Sequence, residues 1–408
     1  MKQTPLYQSL TFCCLALFFS TNVLAVEYSA SAFGTLGGAI SDNKITYQRY
    51  IDDNGTLMRD SLTGVQVDAK FNDQWAATAQ LVLASATDED DVIKPQVKWT
   101  TLSYRPSNDW LIRAGRMSLG GLLNQQNLDV GVSYDMARLP CEVYLLSSSY
   151  DYDGLSIAKT WNTSTHEITL DASMGMQSRD YRSYYNARGK AAFYPADITS
   201  GGFVLTVTDY ERTTYKAGWH FSEIDPDEPE GLLSEYTFRQ LGGGFYTLGE
   251  PINKATTHLN TFFLGTSFPL EKFFVTCEGT AILAQDFEAA PPTFAAYISV
   301  SRKLNNWTPY LTYAQMWTNG MDTWREVQGA TPVPPFGVTQ AVIDNAASAM
   351  AIYEQNSWML GTSYAFTPKQ KVKAEAMLTH VGERSAMFDG DIAHENVMVY
   401  SLSYNFAF

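Results

Sequence analysis

Apolar and polar residues alternate with a period of two from one end of the chain to the other. In "LTGVQVDAKF", Val65, Val67, Ala69 and Phe71 share a face, and Gly64, Gln66, Asp68 and Lys70 share the opposite one. "WAATAQLVLA", "HEITLDASM", "TYKAGWHF" and "WMLGTSYAF" repeat the pattern around Leu81, Leu170, Trp219 and Leu360. In the last segment, "VMVYSLSYNFAF", Met398, Tyr400, Leu402, Tyr404, Phe406 and Phe408 face away from Val397, Val399, Ser401, Ser403 and Asn405. Each segment reads as a strand with one apolar and one polar or small face. Strands are predicted at 27–40, 61–72, 74–86, 94–105, 109–116, 152–161, 166–177, 202–209, 213–221, 258–268, 273–284, 294–304, 308–317, 356–366, 371–382 and 396–408, sixteen in all.

Alternation alone does not say whether the apolar face meets a second sheet or lipid. Three features favour lipid. First, short polar turns, such as Asn72–Gln74, Pro106–Asp109 and Pro269–Lys272, alternate with long connections, such as Ser41–Asp60, Met117–Asp151, Ser222–Thr257 and Thr318–Gln355. Long connections are uncommon in compact soluble domains and usual on one side of a membrane barrel. Second, Trp75, Trp99, Trp110, Trp161, Trp219, Phe273, Trp307, Trp317 and Trp358 sit at strand ends, where amphipathic rings suit the headgroup level. Third, a final strand ending on Phe408 has a partner in "EYSASAFGTLGGAI" (Glu27–Ile40), which would close the sheet. The predicted fold class is all-β: a transmembrane antiparallel β-barrel of sixteen strands. A barrel of this size is expected to hold a water-filled lumen.

The start of the chain agrees. "MKQTPLYQSLTFCCLALFFSTNVLA" has a basic residue (Lys2), an apolar run from Leu10 to Phe19 and small or apolar residues at Val23 and Ala25. Residues 1–25 are read as a cleaved secretory signal peptide and 26–408 as the barrel. Cys13 and Cys14 leave with the signal, and Cys141 and Cys277 remain as a possible disulfide or as reduced bystanders. The formal charge of -15 argues against nucleic acid. Aromatics are abundant (24 Tyr, 22 Phe, 9 Trp), yet no later apolar run approaches the ~18 residues of a spanning helix.

"LSYRPSNDWLIRAGRM" (Leu102–Met117) resembles a strand pair of proteobacterial porin-like proteins. "YDYDGLSIAKTW" (Tyr150–Trp161) resembles the strand after the inward-folded loop of general porins. The ending "YNFAF", with Tyr404, Phe406 and Phe408, resembles the signal read by the outer-membrane assembly machinery. The resemblance is to Gram-negative outer-membrane porins. It implies a trimer in the bacterial outer membrane, in contact with lipid and lipopolysaccharide, that passes small hydrophilic solutes. It implies no cofactor and no particular solute. The Pro-rich "ATPVPPFG" (Ala330–Gly337) has no counterpart in that pattern.

Porins narrow the lumen with their third long loop. Here that loop is Met117–Asp151, and it is unusually apolar (Leu119, Leu122, Leu123, Val130, Leu139, Val143), as expected of a segment packed inside. Its acids include Asp129, Asp135 and Glu142, and the preceding strand carries Arg113 and Arg116. Arg113 and Arg116 are expected to face Asp129 and Asp135 across the constriction, because opposed rings of charge set ion selectivity. Parity also turns Asp68, Lys70, Lys98, Asp171, Lys216, Glu278, Lys373 and Glu375 inward.

Rival functions remain open. A substrate-specific channel would use the same barrel. An outer-membrane enzyme would need a nucleophile with a base near the rim. The five histidines, His166, His220, His258, His380 and His394, stand in no such pattern, and no metal or nucleotide motif is present. The long loops would also suit an adhesin or receptor. The runs "DEDD" (Asp88–Asp91) and "EIDPDEPE" (Glu223–Glu230) read as solvated acidic loops whose charge is bridged within lipopolysaccharide; neither has the ligand spacing of a calcium loop.

Overall fold

The computed structural model describes residues 26–145, 151–226, 235–242, 245–252, 256–285, 290–331 and 339–408. The segment read as a signal peptide lies outside the described residues, as does most of the Pro-rich run, 332–338. Sixteen strands form one closed antiparallel barrel. They are β1 (Glu27–Ser41), β2 (Leu62–Lys70), β3 (Trp75–Ser85), β4 (Ile93–Ser107), β5 (Trp110–Ser118), β6 (Asp151–Asn162), β7 (His166–Tyr185) and β8 (Lys190–Asp209), followed by β9 (Thr214–Pro226), β10 (Thr257–Leu270), β11 (Phe273–Gln285), β12 (Thr293–Ser301), β13 (Trp307–Thr318), β14 (Tyr353–Thr367), β15 (Gln370–Ser385) and β16 (Asn396–Ala407). Each strand pairs with its sequence neighbour, and β16 closes on β1 from Phe33↔Ala407 to Ser41↔Val399. The Phe408 amide donates to the Ala32 carbonyl at 2.8 Å. Closure leaves no strand edge, which matters in lipid, where each unpaired backbone group costs several kcal/mol.

The apolar face points outward all round. Leu264 (69% exposed), Leu360 (64%) and Leu402 (62%) would be costly to show to water, while Ser357, Lys373 and Asn405 on the opposite face are buried. This inversion of a soluble protein's pattern is what lipid as the outer solvent demands. Trp75, Trp110, Trp161, Phe273 and Trp307 point outward beside the short turns, as a girdle requires. Trp99 does not join them. A bulge opposite Gln80 and Leu81 shifts the phase of β4, and Trp99 packs against a cluster of Met117, Leu119 and Tyr152.

Two further expectations change. β7 and β8 run 20 residues each, so most of the stretch expected as a connection between 177 and 202 is a long hairpin. The lumen is also not simply water. An apolar cluster fills one side, joining Leu122, Met136, Leu139, Val143 and Tyr144 of the third loop to Tyr297, Tyr310, Met316, Met359 and Met377 of the wall. Short helices lie outside the sheet: α1 (Cys141–Tyr144), α2 (Asp322–Gln328) and α3 (Gln340–Ala349). A separate two-stranded piece, Glu235–Gly242 with Phe245–Ile252, belongs to the connection after β9 and adds no strand to the barrel.

Candidate pore and its constricting loop

The third loop leaves β5 at Ser118, enters the barrel and is fastened along an arc from β9 through β16 to β1. Its backbone supplies many of the contacts. Lys216 Nζ (β9) donates to the Leu122 carbonyl at 2.8 Å. The Leu123 amide donates to Glu278 Oε1 (β11) at 2.5 Å. The Ala137 amide donates to Tyr310 Oη (β13), whose hydroxyl donates onward to Glu375 (β15) at 2.7 Å. Lys373 Nζ (β15) donates to the Met136 carbonyl at 2.8 Å and lies 3.9 Å from the centroid of the Tyr134 ring. Carbonyls and amides of an irregular segment need partners once they leave water, and the inward charges of the wall supply them.

These contacts reassign much of the predicted site. Lys216, Glu278, Lys373 and Glu375 do face inward, but they hold the loop. Glu278 accepts three hydrogen bonds, from the Leu123 amide, Tyr144 and Tyr297. Glu142 is fully buried and accepts from Gln355 at 2.8 Å and Ser357 at 2.5 Å, so it anchors α1 rather than lining a constriction. Asp135 accepts from Lys371 and Ser363, each at 2.8 Å. Lys70 pairs with Asp73 in the exposed turn after β2, and Asp68 accepts from Gln66 and Thr78.

Arg113 and Arg116 do not pair with Asp129 and Asp135. Arg113 faces inward and donates to Asp171 on β7 at 2.6 Å and to Ser156 at 3.2 Å. Arg116 borders the larger cavity, but by register its side chain belongs to the opposite face. It pairs with Asp153, whose register partner is the outward Met176, 60% exposed. The reason is the pleat: residues three apart on a strand point to opposite faces.

The loop makes fewer contacts with the arc from β2 to β8, and two cavities lie mainly against it, the larger also reaching Ile224, Thr293 and Tyr353. The larger, about 1020 Å3, opens toward the long connections and is lined by Arg59, Lys98, Asp129, Asp151 and Arg182 among others. The smaller, about 270 Å3, lies toward the short turns and holds Arg113, Asp171, Lys216 and His220. Ser118 on the wall and Gln126 on the loop border both cavities. Of the acids predicted at the constriction, Asp129 lines a cavity, and Asp135 and Glu142 do not. Lys98 is tied to Asp151 at 3.3 Å. Among the described residues, Arg59 and Asp129 line the larger cavity without an ion-pair partner; Arg59 donates to Gln48 Oε1 at 3.2 Å.

Sequence reasoning passed over Arg138 and Asp60, which form a two-pronged, largely buried loop tether, and Arg59. A signal was present for the first. "DMARLP" places one cation within an apolar stretch, and a cation inside the barrel must find a carboxylate. Cys141 and Cys277 carry free thiols. Burial, with Glu142 beside it, pushes the Cys141 thiol well up, so it stays protonated against Tyr47 Oη at 3.1 Å. The "DEDD" acids are not simply solvated: Asp88 and Glu89 pair with Lys94, and Asp90 pairs with Arg49 and Arg182. In the second run, residues 227–230 lie outside the described residues.

The architecture defines a class, the outer-membrane-type β-barrel with an inward-folded third loop. Solved structures agree. The chain is similar to the outer membrane channel DcaP of Acinetobacter baumannii (TM-score 0.53, 12% identity, covering 95% of this chain and 99% of that one). It is similar to an anion-selective porin from Comamonas acidovorans (TM-score 0.53, 11% identity, 94% and 100%) and to OmpF of Salmonella typhi (0.52, 8%, 93% and 97%). No protein-family model matches the sequence, and no curated protein matches it significantly. The fold is that of the Gram-negative outer-membrane porins.

Proposed function

We propose that the chain forms a water-filled channel in a bacterial outer membrane and passes small hydrophilic solutes and ions by passive diffusion. The observation that carries this is the pair of charged cavities inside the barrel, both bordered by Ser118 and Gln126. On this reading the chain is no enzyme. Residues 1–25 direct export, the assembly machinery reads Tyr404, Phe406 and Phe408, and the barrel works as a homotrimer among lipid and lipopolysaccharide. Conductance of the purified protein in a planar bilayer with a salt gradient tests the proposal. Steps in multiples of three with a defined reversal potential are expected. A silent bilayer from folded, heat-modifiable protein overturns it.

A second reading, a substrate-specific channel, is favoured by one observation. The loop is bonded to wall strands from β9 through β16 and leaves Arg59 and Asp129 without an ion-pair partner in the larger cavity. A preferred solute would then block ion current at low concentration, whereas a general pore would show no such block.

A further inference from the structure

The hairpin of β7 and β8 is longer than the barrel needs. The last residue of β7 paired with β6 is Met176, and the last residue of β8 paired with β9 is Ala196. Beyond them, from Gln177↔Ile198 to Tyr185↔Lys190, the two strands pair chiefly with each other. At ~3.3 Å per residue, Gln177–Tyr185 reaches about 30 Å. A barrel of sixteen strands, spaced ~4.8 Å and tilted ~40°, has a diameter on the order of 30 Å. The hairpin is therefore long enough to span the mouth.

It does span it. β7 and β15 lie on opposite sides of the closed ring, eight positions apart. Yet Arg182 of β7 grips Asp389, in the connection after β15, with Nη1–Oδ1 at 2.8 Å and Nη2–Oδ2 at 2.5 Å. The same guanidinium donates through Nε to Asp90, which Arg49 also holds. Asn186 at the tip donates to Asp391 through its side chain and to Ser348 Oγ of α3 through its amide. Arg49 stacks over the Phe193 ring at 5.3 Å. Four connections from around the rim thus converge on one hairpin. Arg182 is the hub, with its side chain only 19% exposed and that of Asp389 10% exposed. A bidentate guanidinium pair with both groups largely out of water is geometrically demanding, and an Arg that serves two carboxylates holds both in register.

We propose that the hairpin 177–198 is a strap latched across the mouth by Arg182, and that this strap limits the size of solute admitted to the cavity beneath it. The inference rests on the channel reading above. It places a size filter at the entrance, separate from the third loop. Arg182 acts as a positioning residue, since it holds the strap rather than the solute.

Swelling of liposomes holding the reconstituted protein, with neutral sugars from mono- to tetrasaccharide, tests this. Arg182→Ala is expected to admit tri- and tetrasaccharides roughly threefold faster than wild type while the monosaccharide rate changes little. Arg182→Lys keeps the charge but loses the two-pronged grip and should fall between. A second variant, with residues 179–196 replaced by a short Gly-Ser turn, removes the strap and should match or exceed Arg182→Ala. Folded variants with the wild-type size profile overturn the strap. Sugar exclusion by wild type and strapless protein alike overturns the channel reading itself. Exclusion by wild type with passage through the strapless form supports the strap as a complete lid.

Discussion

Arg138 of the third loop and Asp60 of the first form a two-pronged ion pair, with Nε–Oδ1 at 2.9 Å and Nη2–Oδ2 at 2.7 Å. Arg138 also donates to Ser401 on β16 at 3.1 Å, so one side chain ties two loops to the wall. Both charges are almost out of water. Removing one partner strands the other, which costs roughly 3–5 kcal/mol for a buried pair. Arg138→Ala should therefore unseat the third loop while the barrel still closes. The expected readouts are larger, noisier single-channel currents and new protease cleavage within 119–145. Wild-type currents from the folded variant would assign the loop's position to its apolar packing alone.

The same pair sets a pH dependence. Burial alone would raise the Asp60 carboxyl, but Arg138 more than offsets this and holds it below its ordinary 3.8. A depressed folded-state value means the pair stabilises fully above the ordinary carboxylate range. The contribution is lost as pH falls through the folded value. Protease accessibility of the loop should rise only below about pH 4. In Asp60→Asn the loop should already be accessible at neutral pH, with that acid-dependent step absent.

Gly131 sits tightly against the wall. A Cβ there would lie 2.0 Å from Asn405 Oδ1 and 2.7 Å from Thr35 Oγ1. Asn405 is already bonded to Thr35 and Ser403, so it has little room to yield. Gly131→Ala should shift the loop toward the β2–β8 arc and narrow the path. Lower conductance with unchanged barrel melting is the expected result.

Charges inside and outside the lumen should separate in one experiment. Arg113 and Asp129 line cavities; Arg116 borders the larger cavity too, but its guanidinium is turned to Asp153 in the outward row, and Glu142 is sealed within the packed loop. Arg113→Ala should move the reversal potential toward cation preference, and Asp129→Asn toward anion preference. Arg116→Ala and Glu142→Gln should leave it in place. A selectivity change in Arg116→Ala would mean its side chain reaches the lumen.

The closing seam gives a further prediction. Tyr404, Phe406 and Phe408 stack in a ladder, with ring centroids 6.0 and 5.5 Å apart. Phe408 adds the last backbone bond to β1. Deleting it removes that bond and one outward ring. The folded, heat-resistant fraction in the membrane should drop, and normal levels would count against a role for Phe408 in assembly.

The sequence by itself determined the strand count, the outward apolar face and the inward third loop. Those follow from local periodicity, from turn spacing and from the apolar character of 119–145, all properties of neighbouring residues. Which inward charges meet solute and which meet protein was decided only in three dimensions. Lys373 and Glu278 look like pore charges by parity, yet both bond to the third loop, more than a hundred residues away along the chain. Arg116 turned outward because the pleat sends residues three apart to opposite faces. The strap was equally hidden: Arg182 and Asp389 are 207 positions apart, and only closure of the ring makes them opposite rims of one mouth. Ion pairs of that kind depend on distance in space, and alternation along a chain carries no record of it.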